Sequence, residues 1–172
     1  MEDIVTLRGK TTHLMGELLA PGIEAPDFTF VGSDLIEKCL YDLDAKVKVI
    51  LSLPSVDTGI CALETKAFNQ KLKGLKNVVI IAVSRDLPFA LKRFCDAEEI
   101  TNLHMGSDYR YREFGDEYNI EIIDGPLKGL LARSVMVLDA NHKIQYAELV
   151  PEIASEPNYD AALKAIQAEL GK

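Results

Sequence analysis

The sequence of 172 residues predicts an α/β domain with a mixed central sheet and helices on both faces. Two apolar runs, 47–53 and 78–84, are rich in Val, Ile and Leu, which is typical of strands buried on both faces. Each run precedes a segment with helical spacing of apolar residues, so strand and helix alternate. Segments 134–139 and 143–150, around the turn at Asn141-His142, then predict an antiparallel pair.

The N-terminal segment 1–22 predicts a β-hairpin. Short β-like runs at 5–7 and 13–15 are broken by Gly9 and Gly16. An extended segment is expected at 25–30. The length favours a single domain over residues 1–172, with the hairpin as an extension of it.

The helices are predicted from apolar spacing and end signals. The segments expected to be helical are 59–73, 87–99 and 109–118, with a short strand near 103–105. Asn158 is a good N-cap for a last helix that carries Leu163, Ile166 and Leu170. In the first helix the residues that share one face are predicted to be Leu63, Ala67, Phe68 and Leu72.

The composition excludes several function classes. With 48% hydrophobic and 27% charged residues, the chain has the profile of a soluble globular protein. A net charge of −8 argues against nucleic-acid binding, which needs a basic face. No apolar run is long enough to cross a membrane. The opening Met1-Glu2-Asp3 has the wrong charge for a signal peptide, so a cytoplasmic location is expected.

The three cysteines, Cys39, Cys61 and Cys95, are too few for a disulfide scaffold in a reducing compartment. They are therefore either buried and inert or redox-active. A zinc site that combines them with His104 has no motif behind it. Neither a metal nor an organic cofactor is expected.

Cys61 lies where a buried strand passes into a helix. If Thr58 is the N-cap, Cys61 is the third helical residue, and the free N–H groups of the first turn stabilise a thiolate there. Thiolate is the nucleophilic form of cysteine. The alternative is a small buried hydrophobic residue, as most free cysteines are, and periodicity alone leaves both interpretations open.

The run Pro54-x-x-x-Thr58-x-x-Cys61 resembles the active-site motif of the peroxiredoxins, and the full segment 54–61 resembles their thiol peroxidase subfamily. The resemblance implies a thioredoxin-like fold and extends over nearly the whole chain. Other residues and segments that match in order are Thr65, Phe68, Asn69, Val5-Thr6-Leu7-Arg8-Gly9, Ala25-Pro26-Asp27-Phe28, Asp86-Leu87-Pro88-Phe89-Ala90, Lys92-Arg93-Phe94-Cys95, Gly129-Leu130-Leu131-Ala132-Arg133, Tyr146, Val150-Pro151-Glu152-Ile153 and Glu156-Pro157.

The resemblance implies a role for each site residue. Cys61 is expected to attack the peroxide and become a sulfenic acid. The Thr58 hydroxyl is expected to hold the sulfur and the peroxide oxygens, although helix capping alone would explain this residue. Arg133 is expected to stabilise the thiolate and orient the peroxide; without the resemblance, a surface salt bridge would be the better interpretation. Pro54 is expected to shield the thiolate, or simply to end a strand.

Cys95 is implied by the resemblance to be the resolving cysteine, which forms an intramolecular disulfide with Cys61. The alternative is a core cysteine. A disulfide needs Cα atoms within about 7 Å, which cysteines on two different helices seldom satisfy. We therefore expect the reduced protein to hold the two apart and local unwinding to join them. Cys39 is interpreted as a packing residue.

Two positions depart from the family pattern. Gly59 stands where a proline is common, which removes a pre-set φ at the start of the helix. Glu64 stands where a glutamine is usual, one turn from the thiol. If its carboxylate points toward the sulfur, its charge opposes thiolate formation.

The function predicted is thiol-dependent reduction of hydrogen peroxide and of organic hydroperoxides, alkyl or lipid. The resemblance implies a thioredoxin-like reductant and a homodimer. A redox sensor that uses the same disulfide is the first alternative, and it would stall after one oxidation. A thioredoxin-like binding module with inert cysteines is the second, and peroxide would leave its Cys61 thiol intact.

Overall fold

A computed structural model describes residues 2–172. The predicted domain and its hairpin segment both begin at Met1, which lies outside this range. The strands are β1 (Ile4–Leu7), β2 (Lys10–His13), β3 (Thr29–Gly32), β4 (Glu37–Cys39), β5 (Val47–Ser52), β6 (Val78–Ser84), β7 (His104–Ser107), β8 (Ser134–Leu138) and β9 (Ile144–Leu149). The helices are α1 (Gly59–Lys71), α2 (Pro88–Glu98), α3 (Glu113–Glu117) and α4 (Tyr159–Leu170), with a 3₁₀ turn at Leu40–Asp42.

Seven strands form one mixed sheet in the order β4-β3-β7-β6-β5-β8-β9, and β1 and β2 form a separate hairpin. Strands β5, β6 and β7 run parallel, whereas β8 is antiparallel to β5 and β9 to β8. The register places Ser134 of β8 opposite Ser52 of β5. Arg133 therefore lies at the same edge of the sheet at which β5 leads toward α1.

Both faces of the sheet are covered, as predicted. Val49 and Leu51 of β5 pack in one core with α1, α2 and α4, whereas Ile50 between them packs in a second core with α3. This alternation explains why apolar residues occupy five of the seven positions in the run 47–53, since a strand buried on both faces has no solvent side. The predicted mixed α/β class is confirmed.

The N-terminal hairpin is confirmed, but its second strand is Lys10–His13 and not 13–15. Arg8 and Gly9 form the turn, with φ of 51° and 80°, and both positive values are what a two-residue type I′ turn requires. The second strand therefore begins at Lys10, directly after the turn, and not at the apolar run 13–15. Leu14 lies beyond the strand and bridges to Ile122.

Two strands were not predicted. β3 occupies the end of the segment expected to be merely extended, and it pairs with β4 and β7. β4 has the sequence Glu-Lys-Cys and lies at the edge of the sheet, so it carries no apolar signal. The helix predicted over 109–118 shortens to α3, because Arg112 takes a left-handed φ of 60° immediately before it.

The buried face of α1 differs from the prediction at one position. Leu63 is exposed, with 52% of its surface accessible, while Glu64 and Thr65 are buried beside Cys61 and Phe68. The last helix agrees with the prediction: Asn158 accepts a hydrogen bond at Oδ1 from the Ala161 amide at 3.1 Å. Within residues 2–172, no helix is both long and apolar enough to cross a membrane.

Candidate active site

The loop between β5 and α1 is fixed by one carboxylate. Asp86, which follows β6, accepts hydrogen bonds from Ser55 Oγ at 2.8 Å and from the Val56 amide at 2.9 Å. It also accepts one from Ser84 Oγ at 2.7 Å, so the end of β6 and the loop are held together. The start of α1 is thereby placed at the carboxyl edge of the parallel strands, where α/β proteins bind their ligands.

Cys61 is the third residue of α1, and Thr58 occupies the N-cap position, as the spacing predicted. The Thr58 side chain makes no capping hydrogen bond; its hydroxyl donates to the Ser55 carbonyl at 3.1 Å. Cys61 is fully buried, and the Thr65 hydroxyl donates to its carbonyl at 2.8 Å. The thiol therefore lies in the first turn, where backbone N–H groups favour negative charge.

Arg133 lies directly on the thiol. Its Nη1 donates to Cys61 Sγ at 3.3 Å and to Glu64 Oε2 at 2.6 Å. Its Nε and Nη2 both donate to the Ile153 carbonyl, at 3.0 and 2.9 Å. The guanidinium is 1% exposed, so these partners replace the water that it has lost.

The backbone around Arg133 is anchored to the sheet and the hairpin. Ser52 Oγ donates to the Ala132 carbonyl at 2.7 Å and lies 2.6 Å from Ser134 Oγ. The Ile153 amide donates to the Thr6 carbonyl of β1 at 2.8 Å. The hairpin therefore holds the carbonyl that orients the guanidinium, although it contributes no atom to the thiol.

The electrostatics of the cluster are set by burial and by one cation. Burial raises the pKa of Glu64 to about 7, and Arg133 opposes that shift without cancelling it. Burial disfavours the charged guanidinium, but Cys61 and Glu64 outweigh this effect and raise the pKa of Arg133. The guanidinium therefore stays charged and is available to a thiolate.

A pocket of about 590 Å³ is lined by Arg133 of this cluster. Pro54 and Thr58, two of the residues predicted for the site, line the same pocket. The hairpin supplies a further wall. The remaining lining residues are Leu7, Arg8, Lys10, Gly59, Ile60, Pro126, Leu127, Ile153 and Ala154, which are largely apolar. The pocket can hold a small apolar molecule beside a buried cation.

Cys95 lies apart from this cluster. It is half-buried on α2 and lines a second pocket, of about 270 Å³, together with Phe30 and Met105. The two pockets share no lining residue. Cys61 and Cys95 are both free thiols, and burial together with Asp96 raises the pKa of Cys95. The structure thus unites Cys61, Arg133, Thr58 and Pro54 but not Cys95.

Metal-ligand side chains are dispersed in the part of the chain that is described. Within residues 2–172, no three His, Cys, Asp or Glu side chains lie together as a metal-binding group. Cys39 lies on the edge strand β4, 3.5 Å from Thr29 Oγ1. His104 begins β7 and lines the second pocket.

Sequence reasoning missed several residues that build the site. Asp86 has no sequence signal beyond its place in a segment that matches the family, and the Ile153 carbonyl has no side-chain signal at all. Glu64 departs from the family pattern, but the sequence does not identify it as the ion-pair partner of Arg133. Its one available signal was its position, three residues after Cys61 and so on the same helical face.

Comparisons with known proteins agree with the geometry. Residues 20–163 match the family model described as Redoxin. A thiol peroxidase of Leptospira interrogans is 50% identical over 168 residues, which cover 96% of this chain and 98% of that protein. A thiol peroxidase of Streptococcus pneumoniae is 46% identical over 165 residues, covering 96% and 99% of the two chains.

Solved structures show the same fold. A peroxiredoxin-like protein from Aquifex aeolicus superposes with a TM-score of 0.91 at 42% identity, covering 98% of both chains. A thiol peroxidase from Chromobacterium violaceum superposes with a TM-score of 0.87 at 23% identity, covering 98% of this chain and 97% of that one. Family model, relatives and fold together establish that the chain belongs to the redoxin family and, within it, to the thiol peroxidases.

Proposed function

We propose that the protein reduces hydroperoxides by nucleophilic attack of the Cys61 thiolate. The observation that carries this proposal is the 3.3 Å contact from Arg133 Nη1 to Cys61 Sγ, inside the first turn of α1. A buried cation and a helix N-terminus converge on one sulfur, and both favour the anionic, reactive form.

In the reaction, an S–O bond forms between Cys61 and the terminal peroxide oxygen, and the O–O bond breaks. The departing oxygen leaves as alcohol or water, and Cys61 becomes a sulfenic acid. Charge moves from sulfur to the departing oxygen, so donors along that line stabilise the transition state more than the ground state. Arg133 supplies such donors, Thr58 lines the pocket and holds the peroxide oxygens, and Pro54, which lines it too, excludes water.

Organic hydroperoxides are the substrates that the pocket favours. Leu7, Pro126 and Leu127 offer apolar surface to an alkyl chain, and Arg133 lines the same pocket. Burial of an alkyl group contributes about 0.8 kcal/mol per CH₂. Hydrogen peroxide would gain nothing from that wall, so we expect alkyl or lipid hydroperoxides to have the higher kcat/KM.

The proposed cycle closes through Cys95. Its thiol attacks the sulfenic acid, water leaves, and a Cys61–Cys95 disulfide forms, which a thioredoxin-like dithiol then reduces. The cycle needs both cysteines reduced at rest, which suits the cytoplasm. A homodimer completes the proposal by analogy with the family, and light scattering of the reduced protein tests it.

The experiment is a stoichiometric peroxide titration of the reduced protein, followed by thiol counting and intact mass. We expect one equivalent of peroxide to remove two thiols, with a mass loss of about two hydrogens and a Cys61–Cys95 peptide. Cys61→Ser should leave peroxide unconsumed, and Cys95→Ser should stop at the sulfenic acid. Retention of all three thiols in the unmodified chain would contradict the proposal.

Sustained turnover separates the peroxidase from a redox sensor. With peroxide and a thioredoxin system in excess, a peroxidase consumes many equivalents per chain. A protein that stalls after one equivalent is a sensor that uses the same disulfide.

A further inference from the structure

Glu64 is a buried acid with one hydrogen-bond partner. Its side chain is fully buried, and Oε2 accepts from Arg133 Nη1 at 2.6 Å. Within residues 2–172, Oε1 is the buried side-chain polar atom that has no partner. A buried carboxylate normally accepts several hydrogen bonds, because each compensates for lost water. The ionised form of Glu64 is therefore poorly solvated.

The same nitrogen of Arg133 serves a second acid. Nη1 contacts both Cys61 Sγ and Glu64 Oε2, so two ionisable groups converge on one guanidinium. The other charged or titratable groups that act on Glu64 are two carboxylates, Glu148 of β9 and Glu156, which precedes α4. Tyr159 of α4 also faces the cluster and donates its hydroxyl to Glu156 at 2.8 Å.

The number of cations at the cluster limits how many of its acids can be ionised together. Among the described residues, Arg133 is the one cation that acts on Glu64, so it can balance one negative charge. A second charge would be buried without a counter-ion and would face Glu148 and Glu156 as well. Two acids in such a site ionise one at a time, as coupled groups do.

We propose that Glu64 and Cys61 share one negative charge beside Arg133, so that Glu64 must hold a proton for Cys61 to react as a thiolate. This inference rests on the proposed function of Cys61. Glu64 is a positioning residue in this scheme, because it acts on the sulfur through Arg133 and touches neither peroxide nor leaving group. The burial that raises the pKa of Glu64 to about 7 supports the scheme.

The activating step moves one proton from Cys61 to Glu64 through solvent. The S–H bond of Cys61 breaks as its proton passes to water, and water supplies the proton for the O–H bond that forms on the Glu64 carboxylate, so no electrons are gained or lost. Arg133 then faces a thiolate and a neutral acid. After attack on the peroxide, the alkoxide takes a proton from water, and Glu64 releases its own to solvent.

The test is a pH titration of thiolate absorbance in Cys39→Ser/Cys95→Ser protein, in which Cys61 is the remaining thiol. Glu64→Gln keeps an oxygen that accepts from Arg133 but cannot ionise. We expect its thiolate midpoint to lie about one pH unit lower than that of the parent, or more. The two curves should meet at low pH, where Glu64 is protonated in the parent, and separate toward neutrality.

A merely structural role for Glu64 would not produce this pH dependence. A Glu64→Gln midpoint that is unchanged or higher overturns the proposal. Glu169→Gln is the matched control, because Glu169 of α4 is also buried but pairs with Lys172, beyond the end of that helix, and it should leave the curve in place. Circular dichroism of each variant confirms folding.

A reciprocal measurement avoids any change at Glu64. Coupling between two sites is symmetric, so replacing Cys61 by Ser must shift the ionisation of Glu64 to lower pH by a comparable amount. The infrared carbonyl band of a protonated, buried carboxyl group reports this ionisation. Identical band titrations in the Cys61→Ser and unmodified chains overturn the proposal even if Glu64→Gln does not fold.

Failure here and failure of the proposed function are distinguishable. The titrations contain no peroxide, so they test the charge sharing alone. If Cys61→Ser abolishes peroxide consumption and Glu64→Gln leaves the thiolate midpoint unchanged, the proposed peroxidase function is supported and the shared charge is contradicted. If Cys61→Ser still consumes peroxide, the proposed function falls.

Discussion

Arg133 donates four hydrogen bonds through the three nitrogens of its planar guanidinium. Nε and Nη2 are held by the Ile153 carbonyl, which leaves Nη1 directed at Cys61 and Glu64. The orientation of the guanidinium is therefore set by the backbone carbonyl of Ile153 and not by Cys61 or Glu64. A lysine carries the same charge but only one nitrogen, so it cannot be anchored and still reach the sulfur.

We expect Arg133→Lys to lower the second-order rate constant for peroxide by about 10²-fold, the usual loss when a preorganised donor is removed. Stopped-flow oxidation of the reduced protein measures it. Arg110→Lys is the control, because Arg110 is an exposed residue paired with Glu37, and its rate should stay unchanged. A rate for Arg133→Lys within twofold of the unmodified chain would show that charge alone suffices.

The buried carboxyl of Glu64 also predicts how stability depends on pH. Its folded pKa, about 7, lies above its ordinary value of 4.5, so the folded state binds the proton more tightly than the unfolded state. The stabilisation is complete below pH 4.5 and is lost as pH rises toward and through 7. The loss amounts to on the order of 3 kcal/mol.

Glu64→Gln removes that titration. The free energy of unfolding of the variant, relative to the unmodified chain, should therefore grow by on the order of 3 kcal/mol between pH 4.5 and pH 8. Urea unfolding of both proteins at the two values measures the difference. A constant difference would mean that Glu64 ionises at an ordinary pH in spite of its burial.

Single residues were predictable from the sequence to very different degrees. The helical positions of Cys61 and Thr58 follow from the spacing at a strand-to-helix junction, whereas their roles were inferred from family resemblance. Arg133 was one arginine among six and was identified through family resemblance. The prediction that Leu63 lies on the buried face of α1 was wrong: Leu63 is exposed, and the neighbouring Glu64 is buried. Periodicity could not show this, since burial of an acid depends on Arg133, which is 69 residues away along the chain.

At the scale of elements, the sequence predicted the strands in which nearly every residue is buried. β5 and β6 are mostly apolar, and the turn of the β8–β9 hairpin is mostly polar, so all of these elements were predicted. β4 is short, polar and at an edge, and its pairing with β3 is decided by neighbours distant in the chain. The elements of the site are in turn joined by polar side chains that periodicity does not report.

Asp86 is the side chain that joins β6 to the loop before α1. We expect Asp86→Asn to lower the free energy of unfolding by about 1–3 kcal/mol, because an amide cannot accept all the hydrogen bonds of the carboxylate. The peroxide rate should fall as well, since the start of α1 loses its anchor. Chemical unfolding and stopped-flow oxidation measure the two effects.

Ser55→Ala provides the matched comparison for Asp86. It removes the Ser55 hydroxyl that donates to Asp86 but leaves the bonds from Val56 and Ser84 in place. We expect a loss near the lower end of the same range. Equal losses in Ser55→Ala and Asp86→Asn would contradict the idea that Asp86 holds the loop through several bonds together.

At the scale of the whole molecule, the reduced fold separates the two thiols that the proposed cycle joins. Cys61 is fully buried against Arg133, which lines one pocket, whereas Cys95 lines a different one. Ion pairs at the surface link the two helical regions, Asp57 to Arg93 and Lys66 to Glu98. Exposed pairs of this kind contribute at most about 1 kcal/mol each, so they do not prevent the helices from opening.

We therefore expect oxidation by one equivalent of peroxide to unfold the helices locally. Amide hydrogen exchange, followed by mass spectrometry, should increase in the first turns of α1 and around Cys95 in α2, while β5 and β6 stay protected. The disulfide closes a loop between Cys61 and Cys95, which are 34 positions apart, and this constraint on the unfolded chain stabilises by roughly 3–4 kcal/mol. That gain can offset the hydrogen bonds lost from two helix segments, each worth about 1 kcal/mol.

Cys95→Ser is the control, because it is oxidised at Cys61 without forming the disulfide, and its exchange should stay that of the reduced chain. A disulfide-bonded chain whose α1 and α2 keep their full protection would mean that a rigid-body shift, and not unwinding, brings the sulfurs together.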